Sequence, residues 1–189
     1  MVGINRTLKK IFGLKPAGFW PGFIIGLFYF GWIFRWFWSV SGFVSLQTGN
    51  ALLTFLALLL IFGVIIIGMS LFWAIFGYAI LTGSKKIKPW LLPLFSAGAF
   101  VLAEYSRTWF FGLFWAGKES LFGPHWTFGN PAYLLADFDL IRFSASFWGI
   151  YGVDFLIVFL ATAFFLFFKI KSQKLRNIPA LEILFIAAF

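Results

Sequence analysis

Apolar residues run along this chain in long blocks, and the polar residues that separate them gather in short clusters. The blocks Phe23 to Val44, Ala51 to Leu81, Trp90 to Tyr105 and Phe143 to Phe168 contain few or no charges. A helix rises ~1.5 Å per residue and a bilayer core is ~30 Å thick, so about 20 apolar residues make one crossing. Each block is read as a membrane-spanning helix. Gln47 to Asn50 is a polar turn between the first two. The second block exceeds one crossing, and tilt or a break near Gly63, Gly68 or Gly77 accommodates the excess. Pro93 falls in the first turn of the third span, where its missing donor matters little. A fifth apolar segment, Ile178 to Phe189, covers roughly half a span. Ser106 to Arg142 mixes Gly, Pro, His and Asn with many aromatics and is expected to be a re-entrant or interfacial loop. The fold class expected is all-α, a polytopic transmembrane bundle of about five spans with an aromatic-rich outer loop. Residues 1–21 form a basic lead at the membrane surface, and 22–189 form the transmembrane domain, with the external loop at 106–142 and an incomplete last span.

Composition supports this. The 189 residues are 62% hydrophobic and 11% charged, against about 45–50% and about 25% in soluble domains. A soluble fold of this size has too little interior to hide so much apolar surface. There are 30 Phe, which tolerate hydrocarbon, and 10 Trp, which favour the headgroup level.

The net charge of +9 suggests nucleic acid only if position is ignored. Eleven of the 15 basic residues fall in three clusters: Arg6, Lys9, Lys10 and Lys15; Lys85, Lys86 and Lys88; and Lys169, Lys171, Lys174 and Arg176. With one crossing per block, all three lie on one face, which the positive-inside rule makes cytoplasmic. The N-terminus is then cytoplasmic, the 106–142 loop external, and nucleic acid is no partner. The basic N-terminus lacks a small-residue cleavage site after its first apolar block, so that block is read as a retained anchor. The chain has no cysteine. Disulfides, cysteine-held metals and a cysteine nucleophile are therefore excluded within it.

Ionisable residues near hydrocarbon are weighed next, because each is unfavourable by ~2.5–3.5 kcal/mol on insertion scales. Arg35 lies in the first span among Trp32, Trp36 and Trp38. It either snorkels to the interface, contacts a lipid phosphate or partners a buried acid. Glu104 and Arg107 are three apart, share a helix face and can pair where the third span ends. Asp154, inside the fourth span, reads as hydrated near the outer interface. His125 is the single histidine. Without a second ligand nearby it does not make a metal site; a backbone-bonded loop histidine or proton transfer are the readings left. Asp137 and Asp139, beside Arg142, cap and solvate the next helix, although paired carboxylates also do acid–base work. Gly26 with Gly31, or Gly63 with Gly68, could let helices approach closely. No phosphate-binding loop, nucleophile elbow or zinc motif is present.

From about Gly22 onward the chain resembles the membrane region of the apolipoprotein N-acyltransferase family. Glu104, Tyr105 and Arg107, followed by Phe111-Gly112-Leu113-Phe114-Trp115, are similar to a span ending in an acid, an aromatic and an arginine before a Phe-Gly-x-Pro-Trp signature. Phe114 stands in place of the proline. Gly149-Ile150-Tyr151-Gly152 leading into Val153-Asp154-Phe155 resembles the start of a later family span. Tyr29-Phe30-Gly31-Trp32 resembles part of an earlier one. The resemblance implies a bacterial inner-membrane protein of lipoprotein maturation. There a nitrilase-like domain with a Glu-Lys-Cys triad moves an acyl chain from phospholipid to a lipoprotein's terminal amine. That domain and its thiol are not in these 189 residues, so the expectation is a module truncated or split from its catalytic partner, inactive alone. The carried-over role is positioning of phospholipid and lipoprotein, on Glu104, Arg107, Trp115, Arg35, His125 and Tyr151. It implies no cofactor. A small non-enzymatic lipid-binding or assembly subunit is the alternative, and a transporter or channel the second alternative.

Overall fold

The structure, a computed structural model, describes residues 18–40, 50–115 and 126–171. Residues 1–17 of the basic lead, His125 and the last apolar segment fall outside the described residues, and the end of the lead, from Phe19, is already helical. Within them the chain is helical, with no strand.

Helix α1 spans Phe19–Ile33, passes through a tight turn at Phe34–Trp36 and ends in a short α2, Phe37–Val40. Asn50 starts α3, Ala51–Gly83, by accepting the N–H groups of Leu52 and Leu53 on its side-chain oxygen at 2.9 and 3.2 Å. That satisfies two of the four backbone donors a helix start leaves unpaired. The 33 residues of α3 form one continuous helix, with no break at Gly63, Gly68 or Gly77. At ~1.5 Å per residue it is about 50 Å long, so tilt or projection beyond the hydrocarbon, not a break, accommodates the excess. After the exposed Lys85, Lys86 and Lys88, α4 runs Leu92–Trp115. It continues ten residues past the expected end of the third span, so the loop expected from 106 begins later. The last helix, α5, runs Asp139–Lys171 and is interrupted at Gly149.

Successive long helices alternate in direction: Gly18 of the α1 approach abuts Gly77 of α3, and Tyr151 of α5 meets Thr108 of α4. Two described helices, α3 and α5, are long and apolar enough to cross a membrane, and only 28% of the most apolar stretch of each is buried. The core helix of a soluble protein would be mostly covered. Here Phe28, Leu60, Leu102 and Phe164 point outward, an arrangement that water penalises and lipid does not. Inside, Tyr29, Phe30, Ile66, Met69, Trp73, Phe100 and Val158 form one core shared by α1, α3, α4 and α5.

α1 and α3 touch along a seam of small residues. A Cβ on Gly22 would overlap the Trp73 carbonyl, and one on Gly26 would lie 2.9 Å from the Ser70 Cα. Gly18, Gly22 and Gly26 recur every fourth residue, the spacing that lets helix backbones meet in lipid. Of the glycines considered from sequence, Gly26 serves this purpose. Gly31 and Gly63 face open space, and Gly68 faces the Phe110 ring.

Gly26→Leu is expected to force α1 off α3 and destabilise the protein by about 1–3 kcal/mol or more, the range for overpacking. Gly31→Leu is expected to be close to neutral. Thermal unfolding of both variants in the same detergent checks the contrast; equal melting temperatures would remove the seam from the account.

Candidate functional site

The polar side chains of the bundle converge where α4 and α5 meet the segment 126–138. Glu104 and Arg107, three apart on α4, are both completely buried. Arg107 donates from Nε to Glu104 Oε2 at 2.8 Å, and its Nη2 stands 2.7 Å from the same oxygen in the ion pair. The other oxygen of Glu104 accepts the indole N–H of Trp73, from α3, at 2.7 Å. Arg107 also donates from Nη2 to Asn130 Oδ1 at 2.6 Å and from Nη1 to the Phe128 carbonyl at 3.0 Å. Its guanidinium lies over the Phe30 ring at 5.2 Å.

Asn130 extends the chain of contacts. Its amide N–H donates to Asp154 Oδ2 at 2.7 Å, and the Ala132 backbone N–H donates to Asp154 Oδ1 at 2.9 Å. Asp154 is fully buried, which corrects the expectation of a hydrated carboxylate. The Tyr29 hydroxyl of α1 donates to the Gly129 carbonyl at 3.0 Å. Gly129 has φ +88°, a left-handed conformation that favours glycine. It turns the chain so that its own carbonyl and that of Phe128 meet different donors. Pro131 then opens a tight turn, Pro131–Leu135, with Ala132 buried.

The result is a polar cluster with two carboxylates and one guanidinium, held by α1, α3, α4 and α5 around residues 128–132. In low dielectric, hydrogen bonds and ion pairs are strong and an unmatched group is strongly unfavourable. Every charged group in the cluster has its partners. Thr108 and Tyr151 add a bond between their hydroxyls at 2.8 Å, joining α4 to α5.

Of the site residues expected from sequence, the structure brings three together: Glu104, Arg107 and, at the rim, Tyr151. Arg35 is elsewhere. It is exposed, with its guanidinium 3.9 Å over the Trp32 ring. Trp115 is the final residue of α4, and His125 lies outside the described residues. Asp139 stands in the first turn of α5, ion-paired with Arg142 on the surface. No group of three His, Cys, Asp or Glu suited to a metal occurs among the described residues.

Asn130, Trp73 and Tyr29 were missed. A tryptophan well inside an apolar span, away from the headgroups it prefers, does signal a buried acceptor for its N–H. Asn130 before Pro131 is a turn signal, but nothing local reveals that its amide bridges two helices.

Over residues 7–163 the chain matches the apolipoprotein N-acyltransferase N-terminal domain. It belongs to that family. Neither a curated protein nor a solved structure gives a match. The match spans all four long helices as far as Ala163, and so includes every residue of the buried cluster. In this member of the N-acyltransferase family, the acid and arginine that close the third apolar block are interior groups, not surface ones.

Removing one partner of a buried, hydrogen-bonded ion pair typically destabilises by about 3–5 kcal/mol. Arg107→Met is expected to fall in that range, leaving Glu104 without its cation. Asn130→Leu, which disconnects Arg107 from Asp154, is expected to lose less but to release the 126–138 segment. Denaturant unfolding in detergent, with limited proteolysis across 126–138, checks both. An Arg107→Met protein as stable as the parent would show the cluster to be incidental.

Proposed function

We propose that this chain is the membrane module of an apolipoprotein N-acyltransferase-type system. Its role is to position phospholipid and lipoprotein for a nitrilase-like catalytic domain that lies outside these 189 residues. Family membership supports the membrane part. One structural observation favours positioning: the buried run Trp73–Glu104–Arg107–Asn130–Asp154 spends its polar groups on fixing residues 128–132 between helices. Such a scaffold holds a rim rigid and leaves no group in the run poised to attack an ester.

On this reading the chain crosses a bacterial inner membrane about five times, with residues 1–21 cytoplasmic, 22–189 forming the membrane domain and residues 126–138 facing outward. The basic clusters favour that orientation. Glu104 and Arg107 act as positioning residues through the 126–138 segment. Tyr151, Trp115, Arg35 and His125 are the candidates for direct contact with lipid or lipopeptide. Because the 189 residues hold no cysteine, a thioester acyl-enzyme has no nucleophile within them.

The test uses the full chain in phosphatidylethanolamine vesicles with a photo-crosslinkable peptide bearing a diacylglyceryl cysteine. The expected outcome is labelling of the chain that excess unlabelled lipopeptide suppresses and a non-lipidated peptide does not. No acyl transfer from phospholipid to the lipopeptide is expected from the chain alone. Robust transfer by the chain alone, or labelling indifferent to competitor, would overturn the proposal.

A further inference from the structure

Helix α5 is two helices joined at an elbow. Gly149 has φ +65° and ψ 178°, a combination essentially restricted to glycine. Just beyond it, a Cβ on Gly152 would overlap the Cβ of Trp148. The chain therefore folds over its own next turn, and both glycines of Gly149-Ile150-Tyr151-Gly152 are required by the bend.

Gly149 to Phe168 alone is long enough to cross, at ~1.5 Å per residue against a core of ~30 Å. Asp139 to Trp148 is thus surplus to the crossing. Its pattern differs from that of the span. Asp139, Arg142 and Ser146 follow i, i+3, i+7 and share one face. Leu140, Phe143 and Phe147 follow the same spacing on another, and Trp148 stands beside the elbow. Those four apolar side chains are 74%, 64%, 71% and 70% exposed, so no described part of the chain covers them.

We propose that Asp139–Trp148 is an interfacial helix. It lies in the boundary between headgroups and acyl chains, on the side of the bilayer where residues 126–138 sit. Its occupant is the lipid monolayer itself. Three observations favour lipid over a protein partner. Beyond the elbow the crossing helix also turns an apolar row outward, Leu156, Leu160 and Phe164. The polar face carries its own ion pair, Asp139 with Arg142, exposed to water. Trp148, a residue type that prefers the headgroup level, stands immediately before the elbow. The arrangement is that of an amphipathic helix lying in the interface plane. It rests on α5 crossing the membrane and not on any acyl-transfer role.

The absence of native cysteine makes the test direct. Each position from 139 to 148 is changed to cysteine in the full chain, labelled with a nitroxide and reconstituted in phosphatidylethanolamine/phosphatidylglycerol vesicles. Collision with oxygen and with a water-soluble nickel chelate is then measured. Oxygen access is expected to peak at 140, 143 and 147, and nickel access at 139, 142 and 146, out of phase at the helical period. Depth is expected to stay level along the ten positions. A depth that increases steadily towards 148, by up to ~15 Å for a perpendicular helix, would make the segment part of the span and overturn the proposal. So would low access to both reagents at 140, 143 and 147, which means a protein cover such as a second copy. Nickel access on all faces would also overturn it, since the helix would then stand in water. In a Gly149→Ala background the level profile is expected to tilt. If that variant fails to fold, the scan on native Gly149 still decides.

Discussion

Arg107 is fully buried, and a guanidinium without water is sustained inside a helix bundle only where acceptors replace its hydration. Each of its three nitrogens reaches one: Glu104 from its own helix, the Phe128 carbonyl and Asn130 from the connecting segment. No single element supplies enough acceptors alone. The segment must therefore sit against α4 for the arginine to be buried at all. Asn130 is suited to the middle of this arrangement because an amide accepts on one side and donates on the other. Its oxygen faces the cation and its nitrogen faces Asp154, which fixes the amide's orientation and links Arg107 to a carboxylate it does not touch. A carboxylate at 130 would lack the donor, and an amine would lack the acceptor.

The glycine seam and the buried cluster are two ends of one construction. In lipid, helices gain little from hiding apolar surface from one another, so association rests on close packing and interhelical hydrogen bonds. Gly22 and Gly26 let α1 settle onto α3, and that approach sets the height of the next turn of α1. There Tyr29 stacks on Trp73 with ring centroids 4.7 Å apart, and Phe30 lies under the Arg107 guanidinium. The Tyr29 hydroxyl then reaches the Gly129 carbonyl. A side chain at position 26 would therefore act on the 126–138 segment without touching it, by lifting the tyrosine that holds it.

The helical character, and the length of α3 and α5 that suits a membrane crossing, were legible because they depend on summed apolar length, which neighbours do not alter. The Glu104–Arg107 pair was legible too, since i, i+3 spacing on a helix is local geometry. What those charges do to the helix was not. Read alone, an acid and an arginine end an apolar span; buried against each other and against Trp73 and Asn130, they let α4 run on to Trp115. Asp154 was misjudged for the same reason: its two donors, Asn130 and the Ala132 N–H, come from more than twenty residues away. The elbow at Gly149 was hidden because a glycine inside an apolar run carries no mark of its φ.

The polar and apolar parts of the molecule are arranged inside out relative to a soluble enzyme, and this constrains where a ligand is met. The cluster's charged groups are turned inward and matched to one another, and the outward surface of the helices is aromatic and aliphatic. Arg35 differs from Arg107 in this respect. It is exposed, with its guanidinium stacked on the Trp32 ring and no buried acid among the described residues to hold it. On the proposed reading, lipid recognition falls to exposed residues such as Arg35, away from the buried cluster. The buried charges act indirectly, by keeping the 126–138 segment in one place.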